Sequence, residues 1–504
     1  MGITFFNNNT FLIFFPEMSF FFLIICLLQN GLYIYNKINK ITTFLYYHFI
    51  SYIGKLAILI LILILIIFYY YPYTHNYLTY FTFNFYTYFF KILICILAIP
   101  CIYILMLFLN TKKIYIFEYI ILLLISIFSC FLFISASELS ILYICLEIMA
   151  LTNYILMCLP KTNLYIIEAA LKYFFLGIAS SGIFLFGLVF LYGFTGCSTY
   201  DQLIKIFFCI NTDTALPNFY TLNISICLLF IFSGFIFKLS GAPFHNWSPD
   251  IYDGGPTSII FYFLIITKLT ILIVFIRFLA LCNQYLDFLQ LFFIIIIISS
   301  FIIGSFGAFL QTKIKRFLAY SSIFHTGFLL LGILAQTYFG YISLFFYMII
   351  YCITNILLWL FIIDLRIEKK GKIFEISTFT DLNSIFKINP IISWIFLIIF
   401  LSMIGLPPFV GFISKILILF AVYQSKFYFI FFSALCFSII TSFYYLRIIK
   451  IIFFENAYKI NNIFLQSKII SFFISINILF LVYFFIFPNK IYIFLKIICF
   501  SFFL

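Results

Sequence analysis

The sequence predicts an all-α polytopic membrane protein with about fourteen transmembrane helices, and three observations lead to this prediction. Hydrophobic residues make up 66% of the chain and charged residues 9%, whereas soluble domains average about 45–50% apolar and about 25% charged residues. Apolar stretches of about 20 residues, the length that an α-helix needs to cross a bilayer, recur along the chain. Few of them show the two-residue alternation that is typical of membrane β-barrel strands.

These apolar stretches define the predicted helices one to fourteen in chain order. They are centred near residues 22, 60, 98, 126, 149, 180, 231, 268, 299, 327, 351, 405, 438 and 478. We predict an N-terminal three-helix segment (1–114), two five-helix repeats (115–282 and 283–455), and a C-terminal helix with a short tail (456–504). The most polar stretches, 195–223 and 364–389, are expected to be loops, and residues 491–504 are expected to form a surface-lying tail.

The basic residues alternate between loops, and this distribution predicts the topology. Loops after even-numbered helices carry only Lys205, Arg277 and Lys426. Lysine and arginine are enriched on the matrix or cytoplasmic side of a membrane, so we expect odd-numbered helices to end there and both termini to lie on the opposite side. The loop after helix seven is an exception, because it carries Asp250 and Asp253 and no basic residue. The other loops that follow odd-numbered helices carry the basic residues Lys37, Lys40, Lys112, Lys113, Lys161, Lys313, Lys315, Arg316, Arg366, Lys369, Lys370, Lys372, Arg447, Lys450, Lys459 and Lys468.

Two predicted helices contain glycine and proline near mid-span. Helix seven is interrupted at Gly241 and Pro243, and helix twelve at Gly405, Pro407 and Pro408. Proline removes a backbone donor, and in lipid the freed backbone groups must be satisfied by protein or by water. Interrupted helices at matching places in two halves indicate a transporter's ion site. Because the breaks lie five helices apart, we predict two inverted repeats, helices four to eight and nine to thirteen; kinks that only shape packing are the alternative.

Four charged residues lie inside the apolar stretches, and they are candidates for a proton relay. They are Glu147, Lys238, Lys268 and Lys415. A charge at bilayer depth costs about 2.5–3.5 kcal/mol on insertion scales, so it faces the protein interior, a partner or a water path. Burial disfavours the charged form and an opposite charge favours it, so movement of a partner can drive proton uptake and release. The alternatives are a protonated glutamate bonded to a neighbouring helix, and lysines that snorkel to the membrane surface.

Two histidines are possible further members of this relay. His325 lies close to Ser321 and Ser322 on helix ten, where these side chains could hold water, and a packed neutral histidine explains it equally well. His245 follows Pro243 closely and carries the same two interpretations. Glu168 and Lys172 are one helical turn apart, and we interpret them as a surface ion pair.

The chain contains no motif for a bound cofactor or metal ion. A Gly-rich phosphate loop and a dinucleotide fingerprint are absent from the sequence. The 13 cysteines show no CxxC spacing and are interpreted as small buried hydrophobic residues. The net charge of +13 follows from the membrane topology, so no nucleic-acid partner is expected. The frequent Phe, Tyr, Ile, Asn and Lys residues have A/T-rich codons, and we attribute the many Phe and Tyr residues to this codon bias and to lipid-facing bulk. Together with the absence of a transit peptide, the bias favours an organelle-encoded protein; a bacterium of low G+C content would show the same bias.

Several motifs resemble the antiporter-like membrane subunits of respiratory complex I, most closely the subunit 2 branch. Helix six (residues 171–196) is similar to the family's sixth helix, and Phe237-Lys238-Leu239-Ser240 with residues 243–252 is similar to its seventh. Residues 315–327, including His325, resemble its tenth helix, and residues 405–415 its twelfth. The subunit 4 branch usually has glutamate where this chain has Lys415.

The resemblance implies a proton-translocating subunit of the mitochondrial inner membrane without a redox centre. Glu147 would pair with Lys238, Lys268 would be the central relay residue, and Lys415 would pass protons to a second half-channel. NADH, FMN, iron–sulfur clusters and ubiquinone would be bound by other subunits. Partners would include neighbouring membrane subunits, accessory subunits and lipids such as cardiolipin. The alternatives are a stand-alone or Mrp-type cation/proton antiporter and a structural scaffold with a vestigial relay.

Overall fold

The structure is a computed structural model of the 504-residue chain. It describes all residues except 1–7, 39–42, 71–75, 78–79, 113, 115, 161–163, 213–217, 283–284, 370–371, 384, 456–461, 466 and 504. Five lysines on which the topology prediction draws therefore lie outside the described residues. They are Lys40, Lys113, Lys161, Lys370 and Lys459.

The described residues are mainly helical. The α-helices are α1 Asn8–Ile38, α2 Thr43–Tyr70, α3 Phe85–Lys112, α4 Glu118–Ser135, α5 Leu139–Cys158, α6 Leu164–Thr195, α7 Tyr200–Thr212, α8 Asn218–Leu239, α9 Trp247–Gly254, α10 Thr257–Tyr262, α11 Lys268–Leu281, α12 Leu286–Phe309, α13 Ile314–Leu334, α14 Tyr338–Asp364, α15 Ile385–Ile388, α16 Pro390–Ile404, α17 Val410–Gln424, α18 Tyr428–Phe453, α19 Lys468–Ile486 and α20 Pro488–Phe503. A π-helical turn, Phe263–Thr267, joins α10 to α11, and Phe379–Leu382 forms a 3-10 turn. The strands are β1 Asn76–Tyr77, β2 Thr82–Phe83, β3 Leu365–Lys369, β4 Lys372–Glu375 and β5 Asn462–Leu465.

The helices confirm the predicted fold class. Thirteen helical stretches among the described residues are long and apolar enough to cross a membrane. They coincide with the predicted helices except for the twelfth, which consists of the two shorter apolar helices α16 and α17 on either side of a break. The chain is therefore an all-α polytopic membrane protein, and its predicted helix twelve is discontinuous.

Both predicted breaks are present, and protein groups satisfy the backbone atoms that they free. After α8 the chain turns at Ser240, which has a φ of 61°, and passes through a cis peptide bond to Pro243. The carbonyl of Phe237 accepts hydrogen bonds from the Ser240 amide at 2.9 Å and from the Trp247 indole at 2.9 Å. After α16 the chain turns at Gly405, whose φ is 81°. The first break is therefore closed by backbone and side-chain donors, as expected for a non-helical segment in an apolar environment.

The acidic loop after α8 is paired with the basic loop before α13. Lys313 Nζ lies 2.7 Å from Asp253 Oδ2, and Arg316 lies 3.1 Å from Asp250 and 3.1 Å from Asp253. These two loops follow predicted helices seven and nine, so the topology prediction puts them on the same side of the membrane, in agreement with the ion pairs. The exception to the basic-loop pattern is thus explained, because the two aspartates are neutralised by this neighbouring loop.

Four local features differ from what the sequence predicted. Residues 195–223, expected to be a loop, contain helix α7, and the expected tail at 491–504 belongs to helix α20. The connection at 364–389 contributes β3 and β4 to an antiparallel sheet with the order β4-β3-β5. Arg277, assigned to a loop, lies within α11. The missed helices and strands have one cause, because short amphipathic or edge elements give weak hydropathy signals beside long transmembrane helices. Arg277 differs, because it lies within the long span Thr257–Leu281.

The chain divides into two compact units. The first comprises residues 1–235, 254–285 and 500–504, and the second comprises residues 236–253 and 286–499. In the first unit the whole of the most apolar part of Thr257–Leu281 is buried, so this span is its central element. In the second unit the corresponding parts of α13 and α14 are 94% and 89% buried. The predicted repeats at 115–282 and 283–455 stay a prediction.

We predict that Gly411→Ala destabilises the second unit. A methyl group at this position would collide with the carbonyl oxygen of Ser402 on α16, and overpacking of this kind costs about 1–3 kcal/mol. Thermal unfolding of the purified protein should show a lower midpoint. Gly182→Ala is the matched control, because an added methyl group there would meet none of the described atoms within 4 Å. Equal midpoints for the two variants would contradict the prediction.

Candidate functional site

Lys268 lies at the start of α11, directly after the π-helical turn. Its side chain is 5% exposed, which excludes the snorkelling alternative. The turn is bounded by hydroxyl groups: Thr267 donates to the carbonyl of Phe263 at 2.6 Å, and Thr270 donates to the carbonyl of Thr267 at 2.8 Å. Single π-helical turns within α-helices are frequent at functional sites, where they re-aim a side chain. The first unit therefore holds a buried lysine at an irregular point of its central helix.

Glu147 lies in the same unit, on α5, and is half-buried. Its Oε1 atom is buried and has no hydrogen-bond partner among the described residues. The Tyr143 hydroxyl, one turn earlier, interacts with the Glu147 carboxyl group and with Ser181 of α6. A buried carboxylate oxygen without a donor is unfavourable, so hydrogen bonding alone does not account for Glu147. Its role in the relay stays a prediction.

Lys238 and His245 flank the first helix break, and both belong to the second unit. Lys238 lies in the last turn of α8 and is 7% exposed. His245 is half-buried, and its Nδ1 atom lies 3.2 Å from the carbonyl oxygen of Pro243. The break around Gly241 is thus bordered by a buried amine and an imidazole. The predicted pairing of Lys238 with Glu147 and the relay role of His245 stay predictions.

Lys415 is held by the second helix break. Its Nζ atom donates to the carbonyl oxygens of Met403 at 2.8 Å and Ile404 at 2.7 Å, at the C-terminal end of α16. The last carbonyls of a helix lack intrahelical donors and carry the negative end of its dipole. The lysine stem lies over Gly405, where an added Cβ would be 2.8 Å from Lys415 Cδ. The break therefore supplies both the acceptors and the space for this lysine.

His325 and Lys415 line one cavity in the second unit, together with Tyr347, Tyr351 and Ser402. The cavity has room for a water molecule. Within it the Nδ1 atom of His325 lies 2.6 Å from the Tyr347 hydroxyl, and its Nε2 atom lies 3.3 Å from the Tyr445 hydroxyl. The histidine therefore has hydroxyl partners on both ring nitrogens and lines the same cavity as a buried lysine.

Sequence reasoning missed two groups of residues. The abundant tyrosines were attributed to codon bias and lipid-facing bulk, but Tyr347, Tyr351 and Tyr445 are buried around His325. Their signal in the sequence is the spacing of four residues between the two on α14. The second group is a buried ion pair, in which Lys91 Nζ lies 2.5 Å from Glu17 Oε1. Each of these residues lies within about three turns of its helix start and resembles a snorkelling side chain.

Other interpretations concern residues away from these sites. Lys172 and Glu168 form an exposed ion pair of 2.9 Å, as predicted. Among the described residues there is no group of three or more His, Cys, Asp and Glu side chains that could hold a metal ion. Eight of the described cysteines are buried, in agreement with their interpretation as small hydrophobic residues.

Comparison with known proteins identifies the family. Residues 136–441 match the model described as NADH:quinone oxidoreductase/Mrp antiporter, TM. The chain is 35% identical over 389 residues to NADH-quinone oxidoreductase subunit N of Pelagibacter ubique, covering 76% of this chain and 79% of that protein. It is 35% identical over 381 residues to NADH-ubiquinone oxidoreductase chain 2 of Marchantia polymorpha, covering 75% of each.

A solved structure has the same fold. A chain of respiratory complex I from Thermus thermophilus superposes with a TM-score of 0.73 at 21% identity, covering 95% of this chain and 98% of that chain. The fold and the buried charges define an antiporter-like membrane subunit. The chain belongs to the family of NADH:quinone oxidoreductase membrane subunits that contains subunit N and chain 2. The predicted family is confirmed.

We predict that Tyr347→Phe slows proton translocation while the protein still assembles. Phenylalanine fills the same volume but removes the hydroxyl partner of His325 Nδ1. A hydrogen bond contributes about 0.5–1.5 kcal/mol, so the expected loss of rate is about 2- to 10-fold. Acidification by the complex in liposomes measures this rate. The control is Tyr428→Phe on α18, where the side chain is 49% exposed; an unchanged rate in Tyr347→Phe would contradict the assignment.

Proposed function

We propose that Glu147, Lys238, Lys268 and Lys415 form the proton relay of this membrane subunit, with His325 as a further member. The proposal rests on the hydrogen bonds of Lys415. Two backbone carbonyls hold its Nζ atom beside the cavity of His325. The family, whose members are subunits of NADH:quinone oxidoreductases, supports the same activity. The chain would translocate protons without redox chemistry of its own, in response to quinone reduction on other subunits.

The geometry at Lys415 suits reversible proton transfer. The charged ammonium has three hydrogens, of which two are directed to the carbonyls of Met403 and Ile404. The neutral amine keeps two hydrogens, so it can still donate to both carbonyls after the third proton has left. The cavity of His325 is the acceptor side for that proton, through a water molecule or the imidazole itself. Loss of the proton therefore leaves no backbone acceptor unsatisfied.

In the first unit the proposal assigns proton uptake and release to Lys268 and Glu147. Lys268 is buried, and Glu147 has a buried oxygen without a hydrogen-bond partner among the described residues. In a buried environment, movement of an opposite charge is the event that drives proton uptake or release. The transfer between the two units, including the pairing of Glu147 with Lys238 and the role of His245, is part of the proposal.

We also propose the location and partners of the chain. The relatives include plant and bacterial forms, and the A/T-rich codon bias favours an organelle-encoded protein of the mitochondrial inner membrane with its basic loops in the matrix and both termini in the intermembrane space. Phe175, Phe432 and Phe472 are 65%, 63% and 61% exposed, and such apolar faces suit neighbouring membrane subunits, accessory subunits and lipids such as cardiolipin. NADH, FMN, iron–sulfur clusters and ubiquinone would be bound by other subunits.

We predict that Lys268→Met and Glu147→Gln block proton translocation and leave assembly of the complex intact. Removal of a positioned proton donor or acceptor costs about 10²–10⁴-fold in the rate of its transfer step. Protons translocated per electron, measured with the purified complex in liposomes, should fall in both variants. Lys172→Met is the matched control, because this lysine is 45% exposed in a surface ion pair.

Two outcomes would overturn the proposed function. Normal proton translocation in both Lys268→Met and Glu147→Gln would leave the chain as a structural scaffold. Sodium–proton exchange by the purified chain alone, without redox subunits, would favour a stand-alone or Mrp-type antiporter.

A further inference from the structure

A second pair of buried charges lies in the first unit, outside the four relay residues. Lys91 of α3 and Glu17 of α1 are 2.5 Å apart, and their side chains are 1% and 2% exposed. They belong to the N-terminal three-helix segment, which precedes the family match at residues 136–441. A buried ion pair stabilises a fold weakly, because desolvation of both charges offsets their attraction. Stabilisation of the fold therefore does not explain why these two charges are buried.

Only one oxygen of the Glu17 carboxyl group takes part in the ion pair. Its Oε1 atom accepts the hydrogen bond from Lys91, whereas its buried Oε2 atom has no hydrogen-bond partner among the described residues. An unpartnered buried carboxylate oxygen is costly, so a purely structural ion pair leaves this cost unexplained. Glu147 shows the same feature at its Oε1 atom. Glu17 thus resembles the acid already assigned to the relay.

The surroundings of the pair connect it to the helix of Lys268. Arg277 and Cys95 are the other titratable groups that act on Lys91, and the Phe83 ring lies 4.7 Å from its Nζ atom. Arg277 donates to the carbonyl of Ile134 at 2.7 Å and also to the hydroxyl of Thr82. On α3, Tyr86 donates to the carbonyl of Ile273 on α11 at 3.0 Å. The surroundings of the pair therefore contact α11 at Ile273 and Arg277.

The position of Arg277 on α11 indicates on which side of Lys268 the pair lies. Arg277 follows Lys268 by nine residues, which is about 13.5 Å along a helix axis at about 1.5 Å per residue. The residues gathered around Arg277 include the last turn of α4 and the strand before α3. In the predicted topology, these helix ends lie on the membrane side that faces away from the basic loops, here called the outer side. The pair therefore lies between Lys268 and the outer side.

We propose that Glu17 and Lys91 form a proton-release site on the outer side of Lys268, an inference that rests on the proposed relay. The ammonium of Lys91 passes a proton to the Glu17 carboxylate, leaving a neutral amine and a carboxylic acid. The acid then releases this proton to the outer side, and the amine takes up the next proton arriving from Lys268. One proton enters at Lys91, one leaves from Glu17, and the original charges are restored. Arg277, which keeps its charge, favours release by repelling a positive charge on Lys91.

The test compares proton translocation in the assembled complex with that of a relay variant. Glu17→Gln/Lys91→Met removes both charges and leaves no unpaired buried ion. We expect protons translocated per electron to fall below the wild-type value, with electron transfer and assembly retained. The control, Glu168→Gln/Lys172→Met, removes an ion pair that is exposed and should leave the ratio unchanged.

An infrared measurement separates proton exchange from a structural role. Turnover of the wild-type complex should change the intensity of a protonated-carboxyl band that shifts in Glu17→Asp and disappears in Glu17→Gln. A normal proton ratio in Glu17→Gln/Lys91→Met, or a spectrum without any band that responds to Glu17→Asp, overturns the release site. If Lys268→Met lowers the ratio in the same experiment, the proposed relay stands although the release site fails; if Lys268→Met leaves it normal, the relay itself fails.

Discussion

The contact between Lys415 and the end of α16 is the interaction on which the second unit depends. A helix that stops inside an apolar environment exposes carbonyl oxygens that no backbone donor reaches. A lysine in the same environment carries donors that water cannot satisfy. Each group is unfavourable by itself, and hydrogen bonds to Met403 and Ile404 satisfy both together. The surrounding glycines follow from this contact, because Gly405 adopts a φ of 81° and leaves space for the lysine stem, while Gly411 allows α17 to approach Ser402 closely.

In the first unit, two carboxyl groups inside the helices are incompletely hydrogen-bonded. Glu147 and Glu17 lie on different helices, yet each has one buried oxygen without a hydrogen-bond partner among the described residues. Their partners also differ, because Glu17 is bonded to Lys91 whereas Glu147 interacts with the hydroxyl of Tyr143. Burial favours the neutral form of an acid, and a nearby opposite charge favours the charged form. Proton exchange at these two acids, as proposed, therefore depends on the charges placed around them.

Much of the fold could be predicted from the sequence, because the strongest signals are local. Span length, the Gly and Pro residues at the breaks, and a lysine such as Lys268 inside an apolar stretch are each visible within about 20 residues. The cluster around His325 could not be predicted, since Tyr347 and Tyr445 come from α14 and α18 and meet it only through packing. The pair of Glu17 and Lys91 spans 74 positions, and each residue lies close enough to its helix start to resemble a snorkelling side chain.

The ion pairs of Asp250 and Asp253 account for the one loop that departs from the basic-loop pattern. Orientation follows the basic residues, and acidic residues contribute little to it, so an acidic loop can lie on the basic side when a neighbouring loop neutralises it. Here Arg316 contacts both aspartates from the start of α13. His325 lies nine residues further along that helix, about 13.5 Å away at about 1.5 Å per residue. The ion pairs therefore connect the segment that follows the first break to the helix that carries the histidine of the cavity.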